Sequence, residues 1–208
     1  DIDVSRMNKY YTVINGALCS TTDSTILFMP SQVSIDEIPE NIRHIGAFAF
    51  ARCSGNKYGG FYVPGTVEDI GEYAFEESKI ECIEIDEGVK RISGFAFASS
   101  ACSDIEVLFP ESVIEIGTAI FYGCENPSIA AAPGSFAHQY ALANSIEYYP
   151  IILNPPEKCI YLPDQLTHIE DAAFADNSAI EYVVIPNGCK TIGEEAFRNC
   201  EGLKLIEI

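Results

Sequence analysis

Three histidines, eight cysteines and 31 acidic side chains are the groups of this 208-residue chain that can carry chemistry. Histidine moves protons or holds metals near neutral pH. Cysteine serves as nucleophile, metal ligand or disulfide partner, and a pair of carboxylates works as acid and base. The spacing supports none of these. There is no C-x-x-C for zinc or redox exchange. G-x-S-x-G, H-E-x-x-H, Walker A, G-x-G-x-x-G and the EF-hand spacing are all missing. His44 and His168 stand in the same slot of a recurring phrase, and elsewhere that slot holds Asp69, Arg91, Glu115 or Thr191. A slot that accepts any polar residue is a surface position. The carboxylates are numerous and none is singled out. The expectation is no enzyme, no catalytic residue, no metal and no cofactor.

The recurring phrase says what positions these residues. TIGEEAFRNC at 191–200 has counterparts in HIGAFAFARC at 44–53, DIGEYAFEES at 69–78, RISGFAFASS at 91–100, EIGTAIFYGC at 115–124 and HIEDAAFADN at 168–177. Its anchors are Phe50, Phe75, Phe97, Phe121, Phe174 and Phe197, spaced 25, 22, 24, 53 and 23 residues apart. Five residues before each anchor stands an Ile, from Ile45 to Ile192. Six before that Ile stands Pro39, Pro64, Pro110, Pro163 or Pro186, with Asp86 in the remaining copy. Short alternating runs such as ECIEID and EYVVIP precede the Pro slot and read as strands. Proline ends each strand because it cannot donate to the ladder. The phrase then crosses back on the far side as a turn or short helix. One such unit cannot bury its apolar face, whereas a stack of units buries a continuous core.

Cys53, Cys124 and Cys200 all fall three residues after an anchor, where Ser78, Ser100 and Asn177 also occur. That slot calls for a small polar side chain bonded to backbone. Stacked coils are about 5 Å apart, so Cys53 and Cys124, three coils apart, are too distant for a disulfide. Cys189 takes an apolar slot and serves as a small hydrophobe. Cys82 is the exception, because its slot in ECIEI points outward. The cysteines are therefore expected to be mostly reduced and structural.

Outward strand positions form the surface with most functional promise. Counted back from the Pro slot, one outward row reads Tyr62, Glu84, Leu108, Ala131, Val184 and Glu207. The next reads Gly60, Cys82, Glu106, Ile129, Tyr182 and Leu205. Aromatic and aliphatic groups in rows that face water are features of binding surfaces. The candidate ligand-binding residues are Tyr62, Glu84, Glu106, Leu108, Tyr182 and Val184.

A net charge of −19 argues against nucleic acid and anionic membranes as partners. No apolar run reaches the length of a membrane span, so no membrane insertion is expected. The first residues lack the basic start and apolar run of a signal peptide. The chain starts at Asp and reads as one whose upstream part has been removed. The closing run LKLIEI leaves an apolar strand edge, so either more chain follows or something caps it.

IPENIRHIGAFAFARC at 38–53 and IPNGCKTIGEEAFRNC at 185–200 carry a family pattern. It resembles the BspA-like, or treponemal-type, leucine-rich repeats over roughly residues 11–208. The resemblance implies an α/β repeat fold: a right-handed solenoid with a parallel sheet on one face and turns or short helices on the other. The expected organisation is a lead-in with a hairpin at 1–37, about four repeats at 38–133, a helix-containing insertion at 134–160 and about two repeats at 161–208. SFAHQYALAN supplies the insertion's helix, with Ser135 as its cap and Asn144 at its end. Apolar strands flank the turn signal NPPEK that follows. By resemblance the function is that of a secreted or cell-surface recognition and adhesion module of bacterial type, binding a protein or glycan. The rival reading is a structural spacer that presents another domain at the surface.

Overall fold

A computed structural model describes residues 2–31, 38–54, 59–100, 104–151, 159–163, 165–186 and 188–208. The NPPEK turn and the side chain of Glu207 lie outside the described residues. The chain divides into two units, 1–151 and 152–208.

The first unit opens with an antiparallel meander of β1 (Tyr11–Ile14), β2 (Ala17–Ser20) and β3 (Thr25–Phe28). Each coil then supplies one two-residue strand and one longer strand. The two-residue strands are β4 (His44–Ile45), β6 (Asp69–Ile70), β8 (Arg91–Ile92) and β10 (Glu115–Ile116). They continue the meander as a sheet in the order β1-β2-β3-β4-β6-β8-β10, parallel from β3 onward. The longer strands are β5 (Gly60–Val63), β7 (Cys82–Ile85), β9 (Asp104–Phe109) and β11 (Asn126–Ala131), joined by β12 (Glu147–Pro150) after the helix α1 (Phe136–Asn144). They form a parallel sheet in the order β12-β11-β9-β7-β5. The second unit repeats the plan with β13 (Cys159–Tyr161), β15 (Tyr182–Val184) and β17 (Leu205–Glu207) in one sheet and β14 (His168–Ile169) paired with β16 (Thr191–Ile192) in another. The protein is thus a β-solenoid of stacked parallel strands.

Alternation explains the core. In β5 and β7 every second side chain points inward and is buried, namely Phe61, Val63, Ile83 and Ile85. The slot isoleucines Ile45, Ile70 and Ile92 meet them from the other sheet. Phe50, Phe75 and Phe97 lie fully buried between the sheets and stack at centroid spacings of 5.3 and 5.7 Å. Phe121 extends the file at 5.5 Å. Among the described residues each unit has its own cluster of buried side chains. In the second, Phe174 and Phe197 stack at 5.2 Å.

The far side carries the turns of the expectation, and short two-residue strands stand where short helices were the alternative. Among the described residues the coils carry turns and two-residue strands there, and the one helix is α1. The cause is local. Two before each anchor the backbone is left-handed, at Phe48, Tyr73, Phe95, Ala119, Ala172 and Glu195, with φ between 51° and 58°. Two after the anchor it is left-handed again, at Arg52, Glu77, Ser99, Gly123, Asp176 and Asn199. A left-handed residue stops a right-handed helix and costs about 1–2 kcal/mol. It also turns alternate N–H groups along the stack. The amides of Phe48, Phe50 and Arg52 donate to the carbonyls of Glu72, Ala74 and Glu76 one coil on. Phe95, Phe97 and Ser99 donate likewise to Thr118, Ile120 and Tyr122. These bonds offset the backbone strain.

α1 starts where the sequence places it. Ser135 accepts the amide of His138, and the chain leaves the helix through a left-handed Ser145, one residue beyond Asn144. The helix packs on β11, β10 and β12.

Candidate interaction surface

The register of the five-stranded sheet sets its outward rows. One runs Gly60, Cys82, Glu106, Ser128, Glu147 and the other Tyr62, Glu84, Leu108, Ala130, Tyr149. Tyr62, Glu84, Glu106 and Leu108 therefore share one face. Tyr182 and Val184, both half-buried, lie in the second unit's sheet, where β15 pairs with β13 and β17.

Ile129 and Ala131 are not outward. Both are fully buried, and Ser128 and Ala130 take the outward register places, where they too are buried. Ala131 pairs with Phe109, so the proline after β11 arrives one residue late. A slip of one residue sends every side chain of a strand to the other face.

The face of the first unit is acidic and partly aromatic. Tyr62 is 42% exposed and its hydroxyl donates to Asp86 Oδ2 at 2.8 Å. That bond, then burial, then the charges of Asp86 and Glu84 push its pKa up. Tyr149 donates to Glu147 Oε1 at 2.8 Å. Asn126 donates to Asp104 Oδ1 at 3.0 Å. The two outward rows hold Glu84, Glu106 and Glu147 and no lysine or arginine. Cys82 is half-buried rather than openly outward, and burial, followed by the charges of Glu106 and Glu84, raises its pKa.

The other sequence assignments sort cleanly. His44 meets Asp69 through Nδ1 and Oδ2 at 2.8 Å, and Arg91 closes on the other oxygen of Asp69 at 2.6 Å. His168 meets Thr191 Oγ1. Both are rungs between coils. The thiols of Cys53, Cys124 and Cys200 point at the carbonyls of Met29, Phe97 and Phe174, each in the preceding coil. Burial lifts the Cys53 pKa to about 11. Cys19, Cys53, Cys82, Cys124, Cys189 and Cys200 are all free. No cluster of metal-ligating side chains forms among the described residues.

Sequence reasoning missed a second surface. Phe48, Tyr73 and Phe95, two residues before their anchors, stack outside the core at 5.0 Å with their planes 5° and 7° apart. Tyr122, 66% exposed, ends this ridge edge-on to Phe95 at 5.8 Å and 79°. Three aromatic residues in one slot of successive coils are the signal that marks it.

The family described as BspA type leucine rich repeat region matches in six copies, over residues 24–150 and 152–208. Among solved structures, the pneumococcal vaccine antigen PcpA is 19% identical, with 91% of this chain and 53% of that one covered and a TM-score of 0.41. The chain thus spans about half of that structure. A leucine-rich repeat protein from Bacteroides ovatus is 20% identical, over 99% of this chain and 70% of that one, with a TM-score of 0.29. A leucine rich cell surface protein from Faecalibacterium prausnitzii is 17% identical, over 98% and 78%, with a TM-score of 0.25. No curated protein matches the chain.

Proposed function

The chain belongs to the BspA-type leucine-rich repeat family, and from that premise we propose that it is a non-enzymatic recognition module, secreted or held at the cell surface. It binds a protein through the strand face of its first unit. The observation that carries this reading is the pair of outward rows, where Tyr62 and Leu108 alternate with Glu84 and Glu106 on a hydrogen-bonded parallel sheet. A rigid sheet spares the backbone an ordering cost on binding. Carboxylates without basic neighbours in the rows suit a basic partner and speed its approach. Family membership supports the surface location. Tyr182 and Val184 give the second unit a smaller patch of the same kind.

The test is capture of basic proteins from host or matrix extracts, followed by affinity measurement with the identified partner. Reversing charge at Glu84 and Glu106 to Lys weakens binding by about tenfold or more if the face is the site. Equal capture by the reversed variant overturns the assignment.

A further inference from the structure

We propose that the cleft beside Tyr122, at the helix-capped end of the first unit, receives the guanidinium group of an arginine side chain from a partner protein. It lies three strands away from Glu84 and shares only Glu147 with the outward row through Glu106. The cleft holds about 440 Å³, within the range of roughly 300–1,000 Å³ seen for specific ligand sites. Tyr122, Tyr140, Glu125, Glu147, Asn126 and Asn144 line it.

The chemistry of the lining selects the occupant. Glu125 and Glu147 supply two carboxylates, and no lysine, arginine or histidine lines the cleft. Glu125 is exposed and has no hydrogen-bond or ion-pair partner among the described residues. Glu147 takes one bond, from the Tyr149 hydroxyl. Each of the two amides spends one N–H inside the fold and keeps its carbonyl oxygen to accept. Asn126 directs its NH₂ to Asp104 Oδ1 at 3.0 Å, and Asn144 directs its NH₂ to the Tyr140 carbonyl at 2.8 Å. Their carbonyl oxygens are left to accept. The Tyr140 hydroxyl is held against the Ile120 amide at 3.3 Å, which fixes its ring at the cleft wall.

A group that meets these demands is cationic, rich in donors and flat enough to lie against tyrosine. A guanidinium has five N–H donors in one plane and stacks on aromatic faces. An ammonium offers charge without the plane. Tyr122 is already rotated away from the ridge, 79° from Phe95, whereas the earlier rings lie within 7° of their neighbours. Tyr73 lies between Phe48 and Phe95 with both faces covered, and Tyr122 ends the file at the cleft.

The test uses the whole 208-residue chain and two small probes, Nα-acetyl-arginine amide and the neutral isostere Nα-acetyl-citrulline amide. Amide and side-chain resonances are followed during titration. The arginine probe should shift Tyr122, Glu125, Asn126 and Asn144, and the citrulline probe should bind at least about tenfold more weakly. Both Glu125→Gln and Tyr122→Ala should weaken the arginine probe by a similar factor. These side chains are exposed, and an unchanged unfolding curve confirms that the variants are folded. Glu84→Gln should leave the arginine titration unchanged, so failure of the strand-face reading and failure of this one are told apart. Equal binding of the two probes, absence of shifts at the cleft, or full binding by Glu125→Gln overturns the proposal.

Discussion

The two units write the same phrase into different surroundings. In the first, Phe50, Phe75 and Phe97 are fully buried, and the stack is flanked by the β1–β3 meander on one side and by α1 with β12 on the other. In the second, Phe174 and Phe197 stack at 5.2 Å yet are only half-buried, and among the described residues β14 pairs with β16. The left-handed residues at two before and two after the anchor are present in both. The phrase therefore sets the shape of a coil, while what packs against it sets how much apolar surface the coil buries. That is the nearest-neighbour behaviour expected of repeat proteins.

Truncation of the anchors is the most forceful way to break the comparison. Phe97→Ala should cost about 3–5 kcal/mol, because a fully buried ring leaves a cavity between two rings that cannot close. Phe197→Ala should cost under about 2 kcal/mol, since its site is already partly open to water. Amide hydrogen exchange under urea, read residue by residue, gives the two values separately. Equal losses would mean that neighbours do not set the burial energy.

The backbone strain offers a test in which both units should respond alike. Ala119 and Ala172 sit at φ of 51° and 53° without an aromatic ring to stack. Ala119→Gly and Ala172→Gly should each stabilise their unit by up to about 1 kcal/mol, as the left-handed cost exceeds the entropy that glycine adds to the unfolded chain. Destabilisation in either unit would show that the methyl group packs more favourably than the strain costs.

The ladder slot separates the units again. Ser78 is fully buried in the first unit and its hydroxyl has no partner, whereas Asn177 in the second accepts the Ala179 amide at 3.0 Å. Ser78→Ala should stabilise by about 1 kcal/mol by removing an unpaired buried hydroxyl. Asn177→Ala should destabilise by about 0.5 kcal/mol, the net worth of an exposed hydrogen bond. The sign reversal is the observable.

His138 has no counterpart in the second unit. It is buried at α1, stacks on Tyr148 at 4.3 Å and accepts the Gly134 amide at Nδ1. Burial holds its pKa below the ordinary 6.5. The unfolded chain then takes up a proton, as pH falls below about 6.5, that the folded unit refuses, so stability falls with pH in that window. Thermal unfolding of wild type and His138→Asn between pH 7.5 and 5.5 should show the wild-type advantage shrinking. A constant advantage would exclude the linkage.

Most of the coil was legible from the residues alone. Isoleucine and phenylalanine at fixed offsets, with proline after an alternating run, dictate a strand, a stop and a return. Two things were not. Apart from Gly123, Asp176 and Asn199, the left-handed positions fall on Phe, Tyr, Ala, Arg, Glu and Ser, residues with no preference for that conformation, and bonds to the next coil hold them there. The place of β11 was hidden because Pro133 stands one residue beyond the position that the other prolines mark. The candidate face was legible in part: Tyr62, Glu84, Glu106 and Leu108 share a sheet as alternation predicts. The cleft at Tyr122 was not, since it arises where α1 packs on the last coil and joins residues more than twenty positions apart.

Cys82 gives the smallest effect and the finest probe of the first unit's face. Its thiol is half-buried beneath carboxylates, with burial first and then Glu106 and Glu84 raising its pKa. Thiolate is the reactive form, and both carboxylates oppose its formation. Glu106→Gln should therefore lower the pKa and quicken alkylation at pH 8, and Glu84→Gln should do the same to a smaller degree. Stability should hardly change, because exposed carboxylates contribute little to it. Mass spectrometry of the labelled peptide gives the rate directly. If the rate in Glu106→Gln equals that of wild type, the row does not place that carboxylate beside the thiol, and the register that defines the binding face would need revision.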